Sequence, residues 1–128
     1  MSMSDETATA LAQDRVIDIT TTGRKTGVPR RIEIWFHRVD GRYYITGTPG
    51  HPRDWYANLV AQPSFTFHLK ESATADLPAI ARPVTDPVER EKVLTGLLAN
   101  LGGNFTSKPG QEPAVWVASS PLVEVTFP

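Results

Sequence analysis

The chain of 128 residues contains no cysteine, so disulfides, thiolate metal centres and a cysteine nucleophile are all excluded. Histidine is scarce as well. His37, His51 and His68 are far apart and match no metal-ligand spacing, so no metal is expected. No apolar run approaches the ~20 residues of a membrane-spanning helix, and no signal-peptide pattern opens the sequence. A cytoplasmic location is the default, with peripheral membrane contact left open. Charge of one sign is also missing: 13 Lys and Arg stand against 14 Asp and Glu, for a net charge of −1. That balance argues against general nucleic-acid binding. Internal repeats and low-complexity segments are absent too. What remains is ordinary for one globular core, with 40% hydrophobic and 21% charged residues in a length that suits a single domain.

The cations are few but unevenly placed. Arg24, Lys25, Arg30 and Arg31 fall within eight positions, inside the stretch Thr20–Arg31. Three threonines end an extended run there. Gly23 and Gly27 bracket a turn holding Arg24, Lys25 and Thr26, and Pro29 starts the next run. Glycines let backbone amides approach a ligand, and successive N–H groups in such a turn form an anion-binding concavity. The pattern reads as a phosphate grip between two strands; the plain alternative is a solvated hairpin tip. It is not a Walker A loop, because neither that spacing nor a following helix is present.

Residues 1–13, small, polar and acidic, read as a flexible N-terminal arm or one short helix, leaving 14–128 as a single domain. Strands are expected over Val16–Thr21, over Arg30–Val39 with Ile32, Ile34 and Phe36 on one face, and over Arg42–Gly47 after the Asp40-Gly41 hairpin turn. A glycine-bearing loop then leads to a helix from Pro52 to about Val60, ended by Pro63. Strands follow over Ser64–Leu69 and Leu77–Val84. Asp86 caps a helix that Pro87 opens and Gly102-Gly103 stops. Val115–Val117 and Val123–Val125 read as closing strands. Six or seven antiparallel strands with two main helices at their connections indicate a mainly β (α+β) fold, a small barrel.

The order Thr21-Thr22-Gly23-Arg24-Lys25-Thr26-Gly27, Pro29-Arg30, the Asp-Gly hairpin, a glycine loop and Asp54-Trp55-Tyr56-Ala57-Asn58-Leu59 resembles the deazaflavin (F420)-dependent nitroreductase family. That family is a branch of the flavin and deazaflavin oxidoreductases with a split β-barrel. The resemblance covers about residues 15–84 and implies coenzyme F420, with Arg24, Lys25, Thr26 and Gly27 at its phosphate. It implies that Arg30 or Arg31 adds charge near the phosphate or the acidic tail. The backbone of Thr46, Gly47, Thr48 and Gly50 would face the deazaflavin ring, followed by the helix carrying Trp55 and Asn58. Two departures bear on substrate. The loop before the helix is short, with His51 where relatives carry a Lys, and the helix Pro87–Ala99 lacks the tyrosines that line their substrate pocket.

Each of these residues also has a plainer role. Trp55 suits core packing, Asn58 suits a contact to loop backbone, and His68 suits a surface strand position. Glu33, Trp35 and His37 share a face that fits packing against a second subunit in a homodimer. The reading is an F420H2-dependent oxidoreductase that transfers a hydride to a small-molecule acceptor, quinone-like, nitro or activated alkene. No catalytic side chain is assigned; the proton is expected from solvent, His51 or a tyrosine, with His51 the named candidate. The rivals are an FMN-binding split-barrel flavoprotein and a non-catalytic deazaflavin or lipid carrier.

Overall fold

The computed structural model describes residues 4–128. Helix α1 (Asp5–Gln13) is followed by strands β1 (Val16–Thr22), β2 (Pro29–Trp35), β3 (His37–Val39) and β4 (Arg42–Thr46). Then come α2 (Asp54–Ala61), β5 (Ser64–Leu69), β6 (Ala75–Pro83), α3 (Pro87–Leu101), one 3-10 turn, α4 (Pro113–Ser119) and β7 (Leu122–Thr126). The seven strands form one antiparallel sheet in the order β2-β1-β5-β6-β7-β4-β3. Alternation drives its curl. Ile17, Ile19, Phe65, Phe67 and Leu69 turn inward and are buried, as are Val123 and Val125. The result is the expected split barrel.

β2 and β3 are its two edges, yet a single residue, Phe36, joins them. One extended strand was expected over Arg30–Val39. The break has a physical cause: the Phe36 amide donates to the Arg15 carbonyl at 2.9 Å, and its ring turns into the core, 5.1 Å from that of Phe67. The chain thus leaves one sheet edge and enters the other within a residue.

Helices close the structure on two sides. α2 packs Trp55 and Leu59 into the barrel core. α3 lies on the outer face, where Val93, Leu94, Leu97 and Leu98 form a second cluster with Tyr44, Val84, Trp116 and Leu122. The signals expected for α3 hold, since Asp86 accepts the Glu89 amide at 2.9 Å and Gly102 ends the helix at φ 79°.

Two expectations are corrected. Val115–Val117 is not a strand but the middle of α4. Two β-branched residues favour a strand there, but Pro113 opens a helical turn and Trp116 buries its indole in the second cluster, donating to the Phe105 carbonyl at 3.2 Å. Tertiary packing overrides the local propensity. His68 is no surface residue either, being 7% exposed between Thr20 Oγ1 and Asp76 Oδ1, each at 2.7 Å. Of the two forms expected for 1–13, the described part is the helix, capped by Ser4, with Ala10 and Leu11 buried; 1–3 lie outside the described residues. Arg38 holds its far end by donating to the Leu11 and Asp14 carbonyls at 2.7 and 2.9 Å.

Candidate functional site

The glycine turn between β1 and β2 folds back on itself. Gly23 N–H donates to the Val28 carbonyl at 2.9 Å and Gly27 N–H to the Gly23 carbonyl at 2.8 Å. Gly27 has φ 73°, a left-handed conformation that a side chain strains. A Cβ at Gly23 would stand 3.0 Å from the Val28 oxygen.

The start of α2 fixes this turn in space. Asn58 is 4% exposed and accepts from both the Arg24 amide, at 3.1 Å, and the Arg24 guanidinium, at 2.9 Å. Its own amide donates to Thr21 Oγ1 at 3.3 Å. Arg24 also reaches Asp54 at 3.3 Å. Asn58 is thereby the residue that positions the turn.

Turn, β2 and α2 enclose a cleft of about 450 Å³, lined by Arg24, Lys25, Thr26 and Arg30 beside Trp55 and Asn58. Strand pairing explains Arg30. It lies opposite Thr21 and Ile32 opposite Ile19, so both belong to the inward face of the sheet, yet both are exposed because no helix covers β2 there. Arg31 points the other way and bonds Asp18 at 3.0 Å, within a network that includes Lys70 and Glu33. The structure therefore separates the two downstream arginines, with Arg30 at the cleft and Arg31 outside it.

A larger cavity of about 870 Å³ lies on the other side of α2. Helical geometry divides the two. Asp54, Trp55 and Asn58 face the cleft, while Arg53, Tyr56 and Ala57 face the cavity. The loop after β4 wraps the Arg53 guanidinium, which donates to the His51 carbonyl at 2.7 Å and the Thr48 carbonyl at 2.9 Å. Gly47 lies against the same group. Thr46 is turned away, donating to the Pro121 carbonyl at 2.5 Å. Gly50 and His51 line the cavity, and His51 is exposed. The far wall is the start of α3 and the face of α4 carrying Ala114, Val117 and Ala118.

Arg90 ties that wall together. It reaches from α3 to the carbonyls of Val84 at 2.9 Å, Val117 at 2.8 Å and Ser120 at 2.7 Å. Burial pulls the guanidinium below its ordinary pKa.

Sequence reasoning thus finds the cleft through the turn and misses most of the cavity. Arg53, Tyr56 and Arg90 carried no signal: Arg53 is fixed by the fold of the loop before it, and Arg90 by carbonyls of α4 and its flank, a segment that reads locally as a strand. Asp54 and Ile32 at the cleft were legible only through pairing and helix phase. Among the described residues no group of His, Asp or Glu is placed to hold a metal ion.

The family model described as F420H(2)-dependent quinone reductase matches residues 1–118. The chain is similar to a solved structure described as an F420 reductase, with TM-score 0.70 at 18% identity, covering 99% of this chain and 96% of that one. It is similar to another described as an F420-H2 dependent reductase, with TM-score 0.58 at 22% identity over 88% and 95% of the two chains. A FAD-binding protein from Mesorhizobium loti matches with TM-score 0.71 at 15% identity over 98% and 91%. At such identities the structural likeness shows the split-barrel fold.

Proposed function

The chain belongs to the F420H2-dependent quinone reductase family, and from that premise we propose that it transfers a hydride from reduced coenzyme F420 to a small flat acceptor of quinone, nitro or activated-alkene type. The observation that carries the reading is the cleft, where Arg24, Lys25 and Arg30 converge beside the tight turn Gly23–Gly27. This suits a phosphate diester, which needs charge and N–H donors at close range and no nucleophile. The reduced deazaflavin, when bound, supplies the hydride itself. The residues then have three tasks. Lys25, Thr26 and Arg30 neutralise and hydrogen-bond the phosphate, with Arg24 held in place by Asn58 and Asp54. The backbone of Gly47, Thr48 and Gly50, braced on Arg53, would face the ring from the cavity side of α2, while Trp55 lines the cleft beside the phosphate. The larger cavity would receive the acceptor and orient it toward the ring.

His51, exposed at the cavity rim, is the candidate that hands a proton to the reduced acceptor. A homodimer belongs to the same proposal. Trp35 remains 39% exposed on the β2 edge and offers an apolar surface for a second copy. The test is a parallel titration of the purified protein with F420 and FMN, followed by turnover of a naphthoquinone with reduced F420. F420 should bind and the quinone be reduced. Tight FMN binding with none of F420 would refute the cofactor, and F420 binding without turnover of any acceptor would leave a carrier.

A further inference from the structure

The charge around the two hollows is not that of the chain as a whole. Among the described residues, Arg24, Lys25 and Arg30 line the cleft and Arg53 and Arg90 the cavity, five of the 13 cations. Of the 14 acids, only Asp54 lines either, and it lines the cleft. No carboxylate therefore lines the larger cavity at all.

Its two guanidinium groups are also unusual in their partners. Neither forms an ion pair among the described residues; both are held by neutral oxygens. Arg53 takes the His51 and Thr48 carbonyls and Thr48 Oγ1, while Arg90 takes four carbonyls from the end of β6 and from α4 and its flank. Carbonyl dipoles fix a guanidinium and partly screen it, but they cancel none of its formal charge. Asp86, the acid at the start of α3, is committed to the Glu89 amide as a helix cap. The remaining wall is mostly apolar, with Pro52, Ala57, Val84, Val117 and Ala118, and its other polar groups, among them Thr85 and Ser119, are hydroxyls and rings, none of them a carboxylate. Two cations without a carboxylate partner, set in a hollow that holds no acid, favour a ligand that brings its own negative charge.

We infer that this cavity selects a planar acceptor carrying an anionic substituent, a carboxylate or sulfonate beside the quinone or enone, over its uncharged parent. The inference rests on the reading of the cavity as the acceptor site. Its volume of about 870 Å³ holds a bicyclic ring with such a group. Arg53, whose hydrogen bonds leave Nε–H without a described partner, is the specificity-determining cation, and Arg90 sets the background potential.

The experiment compares naphthoquinone-sulfonate with naphthoquinone by calorimetry, using the full chain first without and then with bound F420. The sulfonate should bind at least about tenfold tighter, and raising salt to about 500 mM should shrink the difference. Ala118→Phe, at the cavity wall, should weaken both ligands together. Arg53→Gln should erase the preference and Arg53→Lys keep most of it. Equal affinities, no binding of either quinone, or affinities for both quinones untouched by Ala118→Phe would overturn the inference. If Arg53→Gln does not fold, the salt and Ala118→Phe measurements still decide. A separate F420 titration keeps the two readings apart. Loss of the sulfonate preference with F420 still binding refutes this inference alone; a preference without F420 binding refutes the cofactor assignment alone.

Discussion

Replacing Asn58 with alanine separates what holds the turn from what holds the ligand. Asn58 is almost wholly buried and removes three hydrogen bonds at once when truncated: two accepted from Arg24 and one donated to Thr21. The two neutral bonds are worth about 1 kcal/mol each, and the charged one about 1.5–3 before screening. The Arg24 side chain is 31% exposed, so the charged bond belongs at the low end. Asn58→Ala should therefore cost about 2–4 kcal/mol of folding free energy, leaving most domains of this size folded. Its effect on F420 should be indirect, about a tenfold weakening as the turn loosens. Lys25 is exposed and forms no described hydrogen bond or ion pair, so Lys25→Ala should change stability by less than about 0.5 kcal/mol. It should nonetheless weaken F420 about 10- to 100-fold through loss of a charged phosphate contact. Urea unfolding followed by tryptophan fluorescence measures the first quantity, and titration with F420 the second. An Asn58→Ala protein as stable as wild type would refute the positioning role. A Lys25→Ala protein that binds F420 normally would refute the phosphate assignment.

Deleting 1–13 should destabilise the barrel by several kcal/mol, because Ala10 and Leu11 are buried; Leu11→Ala alone should cost about 2–4 kcal/mol by thermal unfolding. Burial, aided by Arg15 and Arg38, pushes His37 down from 6.5 to about 4, so the unfolded chain takes up its proton first as pH falls. Its contribution should be complete above pH 6.5 and be lost toward pH 4, by no more than about 3 kcal/mol, and His37→Gln should flatten that part of the stability profile. If the Trp35 surface joins two copies, Trp35→Glu should sediment as a monomer where wild type sediments as a dimer; a monomeric wild type at high micromolar concentration would exclude the interface.

The parts of the fold that could be read from the sequence are those whose signals are local. The Asp40-Gly41 hairpin, the Asp86-Pro87 helix start and the glycine turn each encode their geometry within a few residues, and the structure carries all three. Where a distant partner decides, local pattern fails. Phe36 breaks its strand because of Arg15 and Phe67, and Val115–Val117 coils because Trp116 finds the outer cluster. His68 is polar by type yet buried, since Thr20 and Asp76 satisfy both ring nitrogens. The same division runs through the site. The turn is visible as a motif, while Arg90 gains its meaning only from carbonyls that α4 and its flank bring to it.

The strand order has a consequence for how the protein comes into being. β7 is the last strand in sequence but not an edge; it is inserted between β6 and β4. Until it arrives, the strands made earlier fall into two separate ribbons, β2-β1-β5-β6 and β4-β3, tethered at Phe36. The hairpins β1-β2, β3-β4 and β5-β6 close quickly, and β1 then joins β5 across some 50 residues. Union of the two ribbons waits for Leu122–Thr126 to meet Arg42–Thr46 across some 80 residues of chain, the slowest kind of contact to find. During synthesis, β4 and β6 would each carry an unpaired edge until residue 126 clears the ribosome, exposing backbone that other strands can capture.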